Sequence, residues 1–264
     1  MRHALALALA LTLALAADAP AADAPDAETI VRRMKEALEP DRPSTRTLEL
    51  EISTDDGQTR ALEAVQARSA DAVLTVMTAP EAVRGTALLV REGRDGRPPT
   101  QWLYVPTVRR VRQIVPATAY QPFLGSDFTL GDLGFVDGGG AYSTPVEERQ
   151  DGRRLYRLEA RPREPQPHAR VVTWVDAETW LPVRREVYDA ANALWKVETF
   201  DRVTRVTDVP TPRRVRIEDV QTRGYSEMRI DDLRWDADVP ASLFDPAALP
   251  GALEAPALAR AAEG

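Results

Sequence analysis

A serine and an aspartate at a glycine turn are the first residues in this chain that could do chemistry. Ser126 and Asp127 lie between Gly125 and Phe128, and His168 is the only histidine after the third residue. A serine nucleophile needs a histidine base within hydrogen-bonding reach. The segment lacks the G-x-S-x-G spacing of a nucleophile elbow. A local turn closed by the serine or aspartate side chain is therefore the favoured interpretation, and a hydrolase that uses Ser126 and His168 stays an alternative.

Paired carboxylates are the second candidate for chemistry. Asp231 and Asp232 are neighbours on a predicted strand, so their side chains point to opposite faces. Asp55 and Asp56 belong to a hairpin turn, where aspartate is common. None of the pairs has the spacing of a calcium loop, the chain has no cysteine for a thiolate metal site, and no phosphate-binding glycine motif is present. The sequence predicts no metal, no cofactor and no catalytic residue, and hence a protein that is not an enzyme.

A run of arginines is the third candidate. Arg109, Arg110 and Arg112 alternate with valines. The chain as a whole is acidic, with 34 Lys+Arg against 41 Asp+Glu and a net charge of −7, which argues against a nucleic-acid partner. A solvent-exposed face is one interpretation of the run, and contact with a lipid headgroup or an acidic partner is the other.

An amphipathic helix opens the part of the chain that can fold. Asp26 can cap a helix over residues 27–38, on which Ile30, Met34 and Leu38 share one side. Pro40 ends this helix.

From residue 47 onward the apolar period changes from that of a helix to that of a strand. Leu48, Leu50 and Ile52 alternate with polar residues, and about ten such segments follow each other with turn residues between them. This pattern predicts a mainly β fold, an antiparallel meander, and argues against parallel α/β classes. The predicted strands are 47–53, 60–67, 72–78, 86–92, 102–105, 108–114, 155–160, 171–176, 183–188, 194–203, 215–220 and 225–235.

The strand that contains Trp102 is apolar on both sides. Trp102 and Tyr104 point to one face, and Leu103 and Val105 point to the other. Such a strand must be covered on both faces, by other elements or by a ligand.

The two ends of the chain read as separate segments. Residues 1–17 have the apolar run and the Ala-Leu-Ala cleavage site of a signal peptide, and the run is too short to span a bilayer. No cysteine follows it for lipidation, so the protein is expected to be free in the periplasm. Residues 18–25 are a flexible spacer, residues 26–250 one domain, and residues 251–264 a disordered tail.

A set of motifs in order along the chain resembles a known family. The motifs are Trp-Leu-Tyr-x-Pro from residue 102, Val-Arg-Arg-Val-Arg from 108, Phe-Leu-Gly-Ser-Asp-Phe from 123, Gly-Asp-Leu from 131 and Trp-Val-Asp from 174. They resemble the outer membrane lipoprotein-sorting protein family, which is similar in fold to the carriers LolA and LolB. The resemblance covers about residues 26 to 250. It implies a highly curved antiparallel sheet, an incomplete β-barrel with a helical lid and a hydrophobic cavity, and it implies no reaction.

The resemblance also assigns expected roles. It implies a carrier or chaperone for lipid or lipoprotein acyl chains, with transient membrane contact and an inner-membrane exporter of the RND/MMPL or ABC type as donor. An envelope sensor with the same fold is the alternative. Arg109, Arg110 and Arg112 would lie at the cavity mouth, and Gly125, Ser126 and Asp127 would form the motif turn. The expected ligand-binding residues are Trp102, Tyr104, Phe123, Phe128 and Leu130 in the wall, and Met34 and Leu38 in the lid.

Overall fold

The computed structural model describes residues 25–93, 99–115, 120–130, 132–133, 140–163 and 165–262. The predicted signal peptide and all of the predicted spacer except Pro25 lie outside these residues, as does Gly131. Within the described ranges, no helix combines the length and the apolar character that a membrane crossing requires.

Helix α1 (Ala27–Leu38) forms where the sequence predicts it. The Asp26 carboxylate accepts a hydrogen bond from the Thr29 amide at 2.7 Å and so caps the first turn. This hydrogen bond lowers the pKa of Asp26. Ile30 and Met34 form the buried side of the helix, as the apolar spacing predicts.

A large antiparallel sheet is the framework of the molecule, and it is not closed into a barrel, which confirms the predicted fold class. Its strands follow the order β6-β5-β4-β3-β2-β1-β16-β15-β12-β11-β10-β9-β7, with β8 also paired to β9, and β13 and β14 form a separate hairpin. The strands are β1 (Ser44–Ser53), β2 (Thr59–Arg68), β3 (Ala72–Ala79), β4 (Ala87–Arg91), β5 (Thr100–Val105), β6 (Arg110–Ile114), β7 (Ala141–Tyr142), β8 (Val146–Gln150), β9 (Arg153–Arg161), β10 (His168–Asp176), β11 (Pro182–Asp189), β12 (Leu194–Asp201), β13 (Thr204–Val206), β14 (Val209–Thr211), β15 (Arg214–Asp219) and β16 (Gly224–Trp235).

Strand register defines one side of the sheet, which we call the inner face. Directly paired residues of antiparallel strands point to the same side, so a row of pairs marks the face across the sheet. The inner face is covered by residues 120–130 and 132–133 and by helix α1, and the opposite, outer face is covered by the C-terminal segment. The row runs through Arg60, Ile52, Ser226, Ile217, Glu198, Arg185, Thr173 and Leu158.

The C-terminal segment is ordered and covers the outer face. It consists of two 3₁₀ segments, Ala241–Phe244 and Pro246–Glu254, and helix α2 (Pro256–Ala262). Leu258 is 0% exposed and packs in one cluster with Leu74 of β3. The expectation of a disordered tail from residue 251 is therefore not met up to Ala262, because burial of a few apolar side chains orders a sequence with few of them.

Candidate functional site

The inner face carries a continuous apolar wall. Side chains of β1 to β4, β15 and β16 form one buried cluster on this side. The space left between the wall and its cover is a cavity of about 10 Å³, enough for no more than a single water molecule. The wall residues include Leu48, Leu50, Ile52, Leu62, Ala64, Met77, Leu88, Ile217, Met228 and Ile230.

The cover of this wall is the loop that the sequence marked as a motif, residues 120–130 and 132–133, which we call the lid loop. Phe123, Phe128, Leu130 and Leu133 are buried in the same cluster as the wall. The loop is folded on itself by main-chain hydrogen bonds, including one from the Phe123 amide to the Phe128 carbonyl at 2.8 Å. Four apolar side chains of the lid loop therefore fill the inner face.

Ser126 closes the turn inside the lid loop. It is buried, and its hydroxyl donates to the Phe123 carbonyl oxygen at 2.7 Å, with the Phe128 carbonyl oxygen at 3.3 Å. The ring of His168 packs edge-on against Tyr120, with the ring centres 6.2 Å apart. The hydroxyl that a hydrolase would need is engaged with the main chain, which gives Ser126 a conformational role.

Asp127 fastens the lid loop to the sheet. The Ser226 hydroxyl of β16 lies 2.7 Å from Asp127 Oδ2 and 2.8 Å from the Asp127 amide nitrogen. Lys196 Nζ of β12 donates to the Asp127 carbonyl oxygen at 2.7 Å. On the other side, the Arg60 guanidinium donates to the Leu124 carbonyl oxygen. We call this set of contacts the latch.

Gly125 lies in the motif turn, next to the side chain of Arg60. Its φ is +71°, and a Cβ there would lie 2.7 Å from Nη2 of Arg60. The left-handed backbone favours glycine, and a Cβ would push the flexible Arg60 guanidinium out of its present position. The motif turn thus combines a glycine for geometry, a serine for closure and an aspartate for attachment.

A buried carboxylate lies next to the latch. Glu198 pairs with Arg185 at 2.8 Å on the inner face. Burial raises the pKa of Glu198; the nearby Asp132 of the lid loop adds to this rise, and Arg185 and Lys196 oppose it. The inner face beneath the lid loop therefore holds a carboxyl group, that of Glu198, whose ionised form is disfavoured in the closed molecule.

Helix α1 crosses the inner face. Ile30 and Met34 pack on Tyr156 and Leu158 of β9, and Leu38 packs partly buried against the same cluster. Ion pairs attach the C-terminal end of the helix to other strands. Lys35 pairs with Glu92, which follows β4, and Glu39, just after the helix, pairs with Arg68 of β2 at 3.1 Å. The helix is attached to strands that are far apart in the sheet.

The structure separates the residues that the sequence grouped as a wall. Phe123, Phe128 and Leu130 lie together on the inner face, but Trp102 and Tyr104 point to the outer face, under the C-terminal segment. Tyr104 is 9% exposed there, and the Arg91 guanidinium lies 5.8 Å from the Trp102 ring centre. Met34 and Leu38 belong to a third cluster with β9 and β10.

Sequence reasoning missed most of the inner wall. Leu103, the neighbour of Trp102 and Tyr104, packs partly buried against the inner cluster. Alternating apolar residues such as Leu48 and Leu50 are predicted as half-buried strand positions. The local sequence does not indicate which face of the sheet the lid loop covers. The aromatic content of the lid loop is the signal that marks this segment in the sequence.

The three arginines lie at the edge strand β6 and in the turn before it. Arg110 and Arg112 pair with Val105 and Leu103, which places both on the inner side of the edge. Arg109 lies in the preceding turn with φ of +51°. All three are exposed, and Val108 and Val115, at 50% and 60% exposure, flank them. The edge is thus both basic and locally apolar.

Comparison with protein families and curated sequences gives one match. A family model with the description "Uncharacterized protein" matches residues 69–250. No curated protein matches the sequence.

Solved structures with the same fold include proteins from three bacteria. A domain from Vibrio parahaemolyticus described as an outer membrane lipoprotein-sorting protein domain is 25% identical, with a TM-score of 0.75 over 84% of this chain and 97% of that chain. A DUF1329 family protein from Desulfovibrio piger is 24% identical, with a TM-score of 0.76 over 84% and 96% of the two chains. A LolA superfamily protein from Nitrosomonas europaea is 20% identical, with a TM-score of 0.69 over 84% and 98%.

Proposed function

This chain belongs to the family whose model matches residues 69–250, and we propose from that premise that it is a periplasmic carrier or chaperone for the acyl chains of a lipid or lipoprotein. The similarity to the lipoprotein-sorting domain and to the LolA superfamily protein supports a carrier-like role. The predicted signal peptide supports the periplasmic location. The proposed site is the inner face beneath the lid loop.

One observation carries this proposal. The lid loop fills an apolar wall with four apolar side chains and is fastened by the latch, a few polar contacts. An acyl chain could replace those side chains on the wall, because each buried CH₂ contributes about 0.8 kcal/mol. A single long chain then supplies enough free energy to be held and little enough to be released.

Cargo on the inner face must displace the lid loop, because the closed inner face has no room for it. The cavity of about 10 Å³ compares with roughly 300 to 1,000 Å³ for typical ligand sites. Opening would move Phe123 and Phe128 away from the wall and would break the contacts of Asp127. The carrier is therefore proposed to alternate between a lid-filled and a cargo-filled inner face.

The exposed arginines have a proposed role in delivery. Arg109, Arg110 and Arg112 at the edge of the sheet would contact lipid headgroups or an acidic segment of an inner-membrane exporter of the RND/MMPL or ABC type. Membrane contact would be transient. The same basic edge with exposed Val108 and Val115 favours the second candidate function, an envelope sensor that binds a protein segment.

The first experiment is native mass spectrometry with lipid extraction on protein purified from the periplasm. A lipid or acylated peptide at one per chain is the expected result. A photoactivatable fatty acid should then label peptides that contain Leu62 or Met228 of the inner face, and should leave the outer-face peptide around Leu258 unlabelled. An apo mass together with no uptake of a fluorescent fatty acid would rule out the carrier function and favour the sensor.

A further inference from the structure

The inner face has a polar end that continues the apolar wall. On β1, β2 and β3, the paired residues Leu48, Ala64 and Met77 belong to the wall. Two positions further along each strand, the same face carries another set of paired residues, Arg46, Gln66 and Thr75. One surface therefore passes from hydrocarbon to hydrogen-bonding groups, which is the arrangement of an amphiphile.

Within the described residues, the polar end brings together the guanidinium groups of half-buried Arg46 and buried Arg68 with the carboxylate of Glu39. Arg46 Nε donates to the Gln66 side-chain oxygen at 2.7 Å, and Gln66 Nε2 donates to Thr75 Oγ1 at 2.8 Å. Arg68 pairs with Glu39 at 3.1 Å, and both side chains are 7% exposed. Among the residues that the structure describes, Arg46 has no carboxylate at ion-pair distance and depends on a neutral amide.

Desolvation and a neighbouring like charge both act on Arg46. Desolvation lowers the pKa of Arg46 to about 9; repulsion from Arg68 adds to this effect, and Glu39 only partly opposes it. A desolvated cation without its own counter-ion is costly. Ionisable groups in such an unfavourable environment are often found at ligand sites, and an anionic ligand would supply the counter-ion of Arg46.

A buried hydroxyl next to Arg68 has no hydrogen-bond partner in the described part of the molecule. Ser44 is 0% exposed and pairs with Arg68 across β1 and β2, and its Oγ makes no hydrogen bond. An unsatisfied buried hydroxyl is rare in native proteins, and an oxyanion would satisfy it.

We infer that the polar end is a headgroup site for an amphiphile with an anionic headgroup. Its carboxylate or phosphate would bind between Arg46 and Arg68, while its single acyl chain lies on the wall at Leu48. The carboxylate of Glu39, carried at the end of helix α1, takes the place of the headgroup in the closed molecule. This inference rests on the proposed function and adds the charge of the cargo to it.

The test compares two amphiphiles with the same acyl chain, anionic lysophosphatidylglycerol and neutral monoacylglycerol, by titration against the full mature protein. Arg46→Met should weaken binding of the anionic amphiphile about tenfold and leave binding of the neutral one unchanged. Glu39→Gln should have the opposite effect and strengthen binding of the anionic amphiphile severalfold, because it removes an internal competitor. Arg32→Gln, an exposed change on α1, is the control with the same loss of charge as Arg46→Met.

The outcomes separate the two levels of the proposal. Binding of neither amphiphile would overturn both the carrier function and this inference. Equal affinity for the two amphiphiles, or an equal loss of both in Arg46→Met, would overturn this inference alone. If Arg46→Met does not fold, Glu39→Gln tests the inference. Unchanged affinity of Glu39→Gln for the anionic amphiphile would contradict competition between the Glu39 carboxylate and the headgroup. Inorganic phosphate that binds as tightly as the lysophospholipid would show a free-anion site and refute a role in headgroup recognition.

Discussion

Glu198 makes the stability of the closed form depend on pH. Its side chain lies buried on the inner face next to Arg185, and burial raises its pKa. A carboxyl whose pKa is higher in the folded than in the unfolded chain binds its proton more tightly when folded. The stability that follows from this difference is full below the unfolded pKa of about 4.3 and is lost as the pH rises through the folded pKa.

A comparison with Glu198→Gln isolates this effect. The glutamine side chain of the variant does not titrate, so the free energy of unfolding of the wild type minus that of the variant should increase as the pH is lowered from neutral towards the unfolded pKa. Urea unfolding at several pH values gives this difference, and carboxylates common to both proteins cancel. A difference that stays flat or falls on acidification would contradict the assigned burial of Glu198.

Gly125 tests the packing of the motif turn at a single residue. Gly125→Ala should lower the free energy of unfolding by about 1–3 kcal/mol, because alanine would take a left-handed φ and meet the Arg60 guanidinium. Gly57→Ala is the matched control, since Gly57 has a φ of +79° but no atom within 4 Å of the added Cβ. Urea unfolding of both variants should show the larger loss for Gly125. Equal losses would mean that backbone strain alone matters at this turn.

Residue patterns predicted orientation but not environment. The period-2 rule correctly put Trp102 and Tyr104 on one face and Leu103 on the other. It could not tell that the C-terminal segment, more than 130 residues further on, covers the aromatic face. The cover of the aromatic face comes from a distant part of the chain, and local sequence carries no information about which cover meets which face.

At the scale of elements, the lid loop is attached to the sheet by the polar contacts of the latch and by its buried apolar side chains. Asp127→Ala removes the carboxylate that contacts Ser226 but keeps the main-chain contact with Lys196. Amide hydrogen exchange of the lid loop should become faster, and uptake of a fluorescent fatty acid should speed up severalfold, because opening becomes less costly.

The control for the latch is Asp55→Ala, a change in the exposed β1–β2 turn. It should alter neither exchange in the lid loop nor uptake of the fatty acid. Faster exchange without faster uptake in Asp127→Ala would separate loop opening from cargo entry and would argue against the lid loop as the gate of the proposed site.

Elements with strong local signals were predictable, and those held by long-range burial were not. The bounds of α1 and the long strands with alternating apolar residues were predicted. Strand β8 (VEERQ) has a single apolar residue, and β13 and β14 have three residues each, so none shows a period. These strands form because a neighbouring strand or a tight hairpin offers hydrogen bonds.

At the scale of the whole molecule, the sheet separates an inner core from an outer core, and a third apolar cluster lies between α1 and strands β9 and β10. The inner core joins the wall to the lid loop, and the outer core joins β2 to β5 to the C-terminal segment. The outer core contains no residue of the lid loop, so it can stay packed when the lid loop moves. This division would let the proposed carrier exchange cargo without unfolding.

The division predicts that damage to the outer core affects stability and not cargo binding. Leu258→Asp should lower the free energy of unfolding by about 3 kcal/mol or more, because it places a charge among Leu74 and Leu89. Ala262→Asp, an exposed change on the same helix, should have little effect. Urea unfolding measures the loss, and titration of the folded fraction with a fluorescent fatty acid should give wild-type affinity for both variants. Loss of affinity in Leu258→Asp under conditions where it is folded would show that the two cores act as one, and the sheet would then transmit, and not isolate, changes on its outer face.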